Sequence, residues 1–148
     1  MQSVDIAELS RRLTAALTAL APGTSLVAAY GFGSVFGGEA AADSDLDIAL
    51  LFDEASLDEV QRFDSAASIH RRLEKVSPIE IDLVVLNEAP PALVDRAVRT
   101  GRVLFGDSDP RRVRFEQRSL LDYLDFLPVL ERYDRALLAR AREGRFGA

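Results

Sequence analysis

Residues 31–48, GFGSVFGGEAAADSDLDI, are the stretch on which the interpretation of the whole chain depends. The pair Gly33-Ser34 follows an apolar run over residues 25–32, which predicts a buried strand. Ten residues separate Ser34 from Asp45, and Asp47 follows at the beginning of a second apolar run over residues 46–52. Because alternate residues of a strand share a face, we expect Asp45 and Asp47 to project side by side where the second strand begins.

This pair of carboxylates predicts a divalent-metal site opposite a phosphate-binding turn. Two adjacent carboxylates repel each other, and a cation relieves that repulsion. Two divalent cations about 3.5–4 Å apart are the arrangement that clamps the attacking and leaving oxygens in phosphoryl chemistry. Gly33 has no Cβ, so its backbone can approach a phosphate closely, with N–H groups and the Ser34 hydroxyl as donors. The combination predicts a nucleoside triphosphate between the carboxylates and the turn.

A third carboxylate is needed to hold the catalytic metal and to take the proton from an attacking hydroxyl. Asp82 is the candidate, because it interrupts an apolar run over residues 79–86 in which an unpaired charge is costly. Glu80 shares its predicted face and is the alternative.

The composition restricts the metal to one bound by oxygen ligands. The chain has no cysteine and one histidine, His70, which excludes disulfides, thiolate zinc sites, iron–sulfur clusters and multi-histidine centres. Oxygen ligands favour Mg²⁺, with Mn²⁺ as the alternative. The only lysine, Lys75, is not in a P-loop context, so a P-loop ATPase is excluded as well.

The order of patterns predicts an α/β fold, a small mixed β-sheet flanked by helices with a long C-terminal helix. We expect residues 1–148 to form a single domain with a core over about 25–107 and a C-terminal helical segment over about 108–141. Ser3 is the predicted N-cap of a first helix, and residues 56–73 and 91–100 are predicted to be helical. Strands are expected over 25–32, 46–52, 79–86 and 102–105. Pro128 is expected to kink or interrupt the last helix.

Charge is unevenly distributed along the chain. The formal net charge of −6 divides into −9 for residues 1–110 and +3 for residues 111–148. An acidic body argues against general nucleic-acid binding. We expect a cytoplasmic protein that binds no membrane, because the sequence shows neither a signal-peptide pattern nor a long apolar run. His70 and the cluster of Arg111, Arg112, Arg114 and Arg118 are predicted to be solvated, with contact to a partner protein as the alternative.

These motifs resemble those of the DNA polymerase beta-like nucleotidyltransferases in their minimal form. Gly33-Ser34, ten residues, Asp45-Leu46-Asp47 and a distal Asp82 match the pattern of that superfamily. The later sequence, in residues 84–93, 101–105, 115–116 and 123–128, is similar to MntA-type antitoxins of bacterial HEPN–MNT toxin–antitoxin pairs. The resemblance covers roughly residues 25–133.

The resemblance implies a two-metal transfer of AMP from ATP to a tyrosine of a cognate HEPN ribonuclease toxin, which neutralises the toxin. In that scheme Gly33 and Ser34 bind the triphosphate, Asp45 and Asp47 hold two Mg²⁺ ions, and Asp82 holds one metal and acts as the general base. One departure is that residues 35–38, Val-Phe-Gly-Gly, replace the Arg or Lys that many relatives carry soon after the Gly-Ser pair.

Two alternatives to protein AMPylation are consistent with the sequence. One is a nucleotidyltransferase that modifies a small hydroxylated molecule, which should need an additional acceptor-binding domain supplied by dimerisation. The other is a binding-only antitoxin that keeps the fold without the chemistry. Only about sixty residues, mostly helical, follow the predicted site. This leaves little room to enclose a small acceptor and favours an acceptor supplied by a partner protein.

Overall fold

Helices and strands alternate along the chain in a computed structural model that describes residues 4–39 and 44–144. The order is α1 Ile6–Leu20, β1 Leu26–Phe32, α2 Gly33–Phe36, β2 Leu46–Phe52, α3 Glu59–Glu74, β3 Ile81–Val85, α4 Pro91–Thr100, β4 Arg102–Phe105 and α5 Pro110–Arg142. A 3-10 turn, Leu86–Glu88, joins β3 to α4.

The four strands form one mixed sheet in the order β3-β2-β1-β4. β1 pairs antiparallel with both β2 and β4, whereas β2 and β3 run parallel. The connection from β1 to its antiparallel neighbour β2 stays at one end of the sheet, while the parallel pair β2 and β3 needs the crossover helix α3. The predicted fold class, a small mixed sheet flanked by helices with a long C-terminal helix, is confirmed.

Helices cover both faces of the sheet. α1 and α3 pack on one face, through Leu9, Leu13 and Leu17 of α1 and Ala66, Ile69 and Leu73 of α3. α4 and the beginning of α5 pack on the other face, through Val94, Ala97 and Phe115. All seven residues of β1 are buried, as expected for a strand that lies between two layers of helices. This arrangement explains why β1 has an almost continuous apolar sequence.

Several predicted boundaries were wrong by a few residues. α1 is capped by Asp5, whose side chain accepts a hydrogen bond from the Glu8 N–H at 3.1 Å, and Ser3 lies outside the described residues. α3 begins later than predicted, because Asp58 and Gln61 form a capping box. β3 is shorter than the apolar run that predicted it, since the chain turns at Leu86.

Helical spacing does not place every apolar residue of α3 in the interior. Val60 and Phe63 have helical spacing with the buried residues, yet they are 69% and 71% exposed. Buried positions begin at Ala66. The first turns of α3 therefore do not pack on the sheet.

Pro128 was predicted to kink or interrupt the last helix, and α5 runs through it without an interruption. Pro128 and Leu124, four residues earlier, are both exposed. Proline leaves the carbonyl of residue 124 without a helical donor, and water can hydrate that carbonyl at an exposed position.

The arginines at the beginning of α5 contact the body of the protein instead of being only solvated. Arg111 pairs with Asp53 at 3.3 Å and Arg118 with Glu54 at 2.8 Å. Arg112 donates to the carbonyl oxygens of residues 106 and 107, at 3.2 and 2.8 Å. These contacts connect α5 to the ends of β2 and β4.

Within the described ranges, no helix combines the length and apolar character needed to cross a bilayer.

Candidate active site

The turn at Gly33-Ser34 joins β1 directly to the short helix α2. Gly33 has a φ of +79°, which side-chain-bearing residues rarely adopt. A Cβ on Gly33 would lie 2.0 Å from Oδ2 of Asp47, so the turn approaches that carboxylate more closely than any other residue type would allow. The predicted turn and the predicted carboxylate are therefore in direct proximity, although a helix at residues 33–36 was not predicted.

Two of the three predicted carboxylates are partners across the parallel strands. Asp47 of β2 and Asp82 of β3 occupy matching positions in the register of that pair. Asp47 is also the cross-strand partner of Phe32, the residue immediately before Gly33. Asp45 precedes β2 by one residue and is exposed, as is Asp82. β-Sheet pairing thus brings together residues that are 35 positions apart in the sequence.

The electrostatic environment of Asp47 is unfavourable for its own charge. Partial burial raises the pKa of Asp47, and the carboxylates of Asp82 and Asp45 raise it further, while the guanidinium of Arg96 opposes them. A bound cation would stabilise the ionised form. The repulsion between Asp47 and its neighbouring carboxylates is the kind that a bound divalent cation would relieve.

The three carboxylates suit a hard cation, but their side chains are not yet arranged as a metal site. Three carboxylates without sulfur or imidazole suit Mg²⁺ or Mn²⁺. Among residues 4–39 and 44–144, no three acidic or histidine side chains are drawn together as a metal cluster. Asp45 and Asp82 are exposed at the ends of strands, so their side chains are free to rotate toward Asp47.

Glu80, the alternative third carboxylate, lies just before β3. Its backbone carbonyl accepts a hydrogen bond from the Leu46 N–H at 2.8 Å, which extends the pairing of β2 and β3 by one bond. Its side chain is exposed, and Glu80 is absent from the charges that act on Asp47. The geometry favours Asp82 over Glu80 as the neighbour of Asp47.

Arg96 of α4 was not identified from the sequence as a site residue. Its guanidinium carbon lies 5.7 Å from the centre of the Phe32 ring, and its charge acts on Asp47. No spacing rule connects a position on α4 with a turn more than sixty residues earlier. Packing of α4 on the sheet brings them together.

His70 was predicted to be solvated, and the structure gives it a structural contact. It is half-buried on α3, with Nε2 at 2.9 Å from the carbonyl oxygen of Ile81. Because a carbonyl oxygen only accepts, Nε2 carries the proton in this contact. His70 links α3 to β3 next to Asp82.

A groove of about 720 Å³ runs along the free edge of β3, between α3 and the beginning of α4. Asp82 lines it at one position, and the exposed Val60 and Phe63 form part of its apolar wall. Asp82 is therefore accessible from the edge of the sheet that lies away from the Gly33-Ser34 turn.

The Polymerase beta, Nucleotidyltransferase family model matches residues 17–110, which include the turn and all three carboxylates. No curated protein matches at the significance required. Among solved structures, a toxin–antitoxin structure with AMP-PNP is 23% identical with a TM-score of 0.59, and the match covers 90% of this chain and 98% of that one.

Two further solved structures share the fold. The structure of a tri-AMPylated Shewanella oneidensis HEPN toxin in complex with MNT antitoxin is 21% identical, with a TM-score of 0.55 over 92% of this chain and 98% of that one. The toxin–antitoxin MntA–HepT gives the same identity, TM-score and coverage. These likenesses show a common fold, and the family model covers more than half of the chain. The protein therefore belongs to the polymerase beta nucleotidyltransferase family.

Proposed function

We propose that this protein is a Mg²⁺-dependent adenylyltransferase that acts as an antitoxin, transferring AMP from ATP to a tyrosine of a cognate HEPN ribonuclease toxin. The contact between Gly33 and Asp47 carries the proposal. It sets a turn with phosphate donors against a carboxylate that is surrounded by like charge. A triphosphate with divalent cations complements both parts.

Each proposed residue has a role that follows from its position. Gly33 and Ser34 bind phosphate oxygens through backbone N–H groups and the Ser34 hydroxyl. Asp45 and Asp47 hold two metal ions, and Asp82 holds one of them. Divalent cations bound there would neutralise the triphosphate and stabilise charge on the attacking and leaving oxygens.

In the proposed reaction the tyrosine hydroxyl lies against Asp82, whose carboxylate takes the phenolic proton. The phenolic oxygen forms a bond to the α-phosphorus of ATP. The bond from that phosphorus to the bridging oxygen breaks, and pyrophosphate leaves with the electron pair. The products are AMP-tyrosine and pyrophosphate, and since ATP is the donor, we place the activity in the cytoplasm.

The open groove beside Asp82 supports a protein acceptor over a small molecule. Its length along β3 and its apolar wall suit a polypeptide segment that presents an aromatic side chain. The similar solved structures also support a protein acceptor and an ATP donor, since one contains an AMPylated HEPN toxin and another is a toxin–antitoxin structure with AMP-PNP.

The test is the intact mass of a HEPN protein encoded next to this gene, after incubation with this protein, ATP and Mg²⁺. We expect added mass in units of AMP, located on tyrosine by fragmentation, and none with Asp45→Asn. Asp82→Asn should also abolish transfer. Glu80→Gln, a matched exposed carboxylate two residues earlier, should leave transfer intact.

Other outcomes would assign a different function. Toxin silencing without added mass, and unaffected by Asp45→Asn, would make the protein a binding-only antitoxin. Modification of a small hydroxylated molecule without the partner would make it a small-molecule nucleotidyltransferase.

A further inference from the structure

Arg96 lies over the end of β1 at the point where the chain enters the phosphate-binding turn. Its guanidinium carbon is 5.7 Å from the centre of the Phe32 ring, within the range of a cation–π contact. Phe32 is buried and immediately precedes Gly33, so the ring is a fixed platform next to the turn. The side chain of Arg96 is thereby held near the turn although it comes from α4.

The guanidinium of Arg96 lies beside the turn with its positive charge available to a ligand. Within residues 4–39 and 44–144, its guanidinium makes neither a hydrogen bond nor a salt bridge. Arg96 is exposed, so its N–H donors remain available to a ligand.

Arg99, on the next turn of the same helix, shows the contrasting case. Its guanidinium donates two hydrogen bonds to Oδ2 of the buried Asp95, at 3.1 and 3.0 Å. Arg99 thus neutralises a carboxylate of its own helix. Two arginines three residues apart on α4 have different environments, and only Arg96 faces the turn.

We propose that Arg96 binds the pyrophosphate half of ATP, the part that becomes the leaving group, and so replaces the basic residue that the Gly33-Ser34 turn lacks. The inference rests on the proposed function. Residues 35–38 carry no cation, and the divalent cations would be shared between the triphosphate and three carboxylates, which leaves negative charge that a further cation can compensate. A guanidinium can donate two parallel hydrogen bonds to phosphate oxygens.

The position of Arg96 places it next to the β- and γ-phosphates of the proposed substrate and not next to the α-phosphate. In the proposed reaction the α-phosphate lies between the metal-binding carboxylates and the acceptor at Asp82. The rest of the triphosphate then extends toward Gly33 and Ser34, and Arg96 lies over Phe32 on that side. Arg96 should therefore hold the part of ATP that departs and stabilise the charge that develops on it.

The experiment compares binding of three ligands to wild type, Arg96→Gln and the matched control Arg99→Gln, in Mg²⁺ by calorimetry. The ligands are the α,β-methylene analogue of ATP, inorganic pyrophosphate and AMP. We expect Arg96→Gln to weaken the ATP analogue and pyrophosphate about tenfold and to leave AMP unchanged. Arg96→Lys should be intermediate, and Arg99→Gln should bind all three like wild type. Thermal melting verifies that each variant is folded.

Two results would overturn the inference while leaving the proposed function standing. Equal binding of the ATP analogue by wild type and Arg96→Gln would show that Arg96 does not touch the triphosphate. Equal weakening of AMP and the ATP analogue would show that Arg96 acts through Asp47 or the metals. If folded wild type bound none of the three ligands, the proposed function would fail together with the inference.

Discussion

On the face of the sheet that α4 and α5 cover, Asp47 is surrounded by like charge, whereas Tyr30 belongs to a hydrogen-bonded network of opposite charges. The Tyr30 hydroxyl donates to Oε1 of Glu116 at 2.6 Å, and Arg112 donates to the same oxygen. Burial and the Glu116 carboxylate raise the pKa of Tyr30, so the hydroxyl remains a donor. At Asp47, by contrast, the charge is compensated only in part, by Arg96.

This contrast separates a structural polar cluster from a candidate functional one. In the network of Tyr30, Glu116 and Arg112, the side chains satisfy one another, which joins α5 to β1. The carboxylates around Asp47 cannot satisfy one another, and they lower the stability of the protein unless a cation is bound. Substitutions should therefore have opposite effects on stability at the two places.

The largest effect is expected from Asp47→Asn on transfer. Loss of a metal-binding carboxylate should reduce the rate of AMP transfer at least about a thousandfold, several kcal/mol of transition-state stabilisation. The measurement is the time course of AMP incorporation into the partner. A rate within tenfold of wild type would contradict the two-metal assignment.

The same substitution should stabilise the metal-free protein at neutral pH. The folded-state pKa of Asp47 is raised above its ordinary value of 3.8, so ionisation opposes folding. The free-energy cost of ionising Asp47 in the folded protein is absent below the unfolded-state pKa. It grows as the pH rises through the raised folded-state pKa and remains at neutral pH. Urea unfolding in EDTA should show Asp47→Asn more stable than wild type at pH 7 and equal to it near pH 3. Added Mg²⁺ should narrow the difference at pH 7 by stabilising wild type. Equal stabilities in EDTA at pH 7 would show that the cluster carries no such penalty.

Gly33→Ala is expected to reduce transfer about a hundredfold. The new Cβ would displace the Asp47 carboxylate, and a positive φ at a non-glycine residue costs about 1–2 kcal/mol in addition. Gly38→Ala is the matched control, because Gly38 has a φ of +77° with open space where the Cβ would be. It should show the backbone cost in urea unfolding and keep most of the activity. Equal losses of activity in the two variants would assign the effect to strain alone.

In the network around Tyr30, Glu116→Ala should lower the free energy of unfolding by about 2 kcal/mol. The buried Tyr30 hydroxyl would lose its acceptor and the half-buried Arg112 its carboxylate. Arg118, on the same helix as Glu116, forms an exposed ion pair with Glu54, and Arg118→Ala should cost less than about 0.5 kcal/mol. Chemical denaturation of both variants measures the contrast, and similar costs would contradict the structural role of the network.

The smallest effect is expected from Ser34→Ala. Loss of one hydroxyl donor to a charged phosphate should weaken binding of MgATP about tenfold, with a partial loss of rate. Titration of the α,β-methylene analogue of ATP measures it. Unchanged affinity would remove Ser34 from the phosphate-binding turn.

The sequence alone predicted the strands well wherever apolar runs were bounded by turn residues or charges. β2 over 46–52 and β4 over 102–105 were predicted with the observed bounds. Helix ends were less predictable, because several neighbouring polar residues can each serve as the N-cap of the same helix. Gly101 follows the last residue of α4 with a φ of −83°, so it does not adopt the left-handed conformation that is common for glycine at helix ends. Glycine is needed there because a Cβ would lie 2.1 Å from the Ala97 carbonyl oxygen.

The residues of the candidate site were predictable in part, for a physical reason. Gly33, Ser34, Asp45 and Asp47 lie close together in the sequence, and Asp82 stood out as a charge in an apolar strand. Their spacing follows from the local geometry of a strand and a turn, which sequence patterns encode. The pairing of Asp47 with Asp82 needed the strand register, and the place of Arg96 over Phe32 needed the packing of α4. The sequence determined which groups are candidates for the chemistry, and only the tertiary structure decided which of them meet, because contacts between distant segments depend on burial of both sheet faces at once.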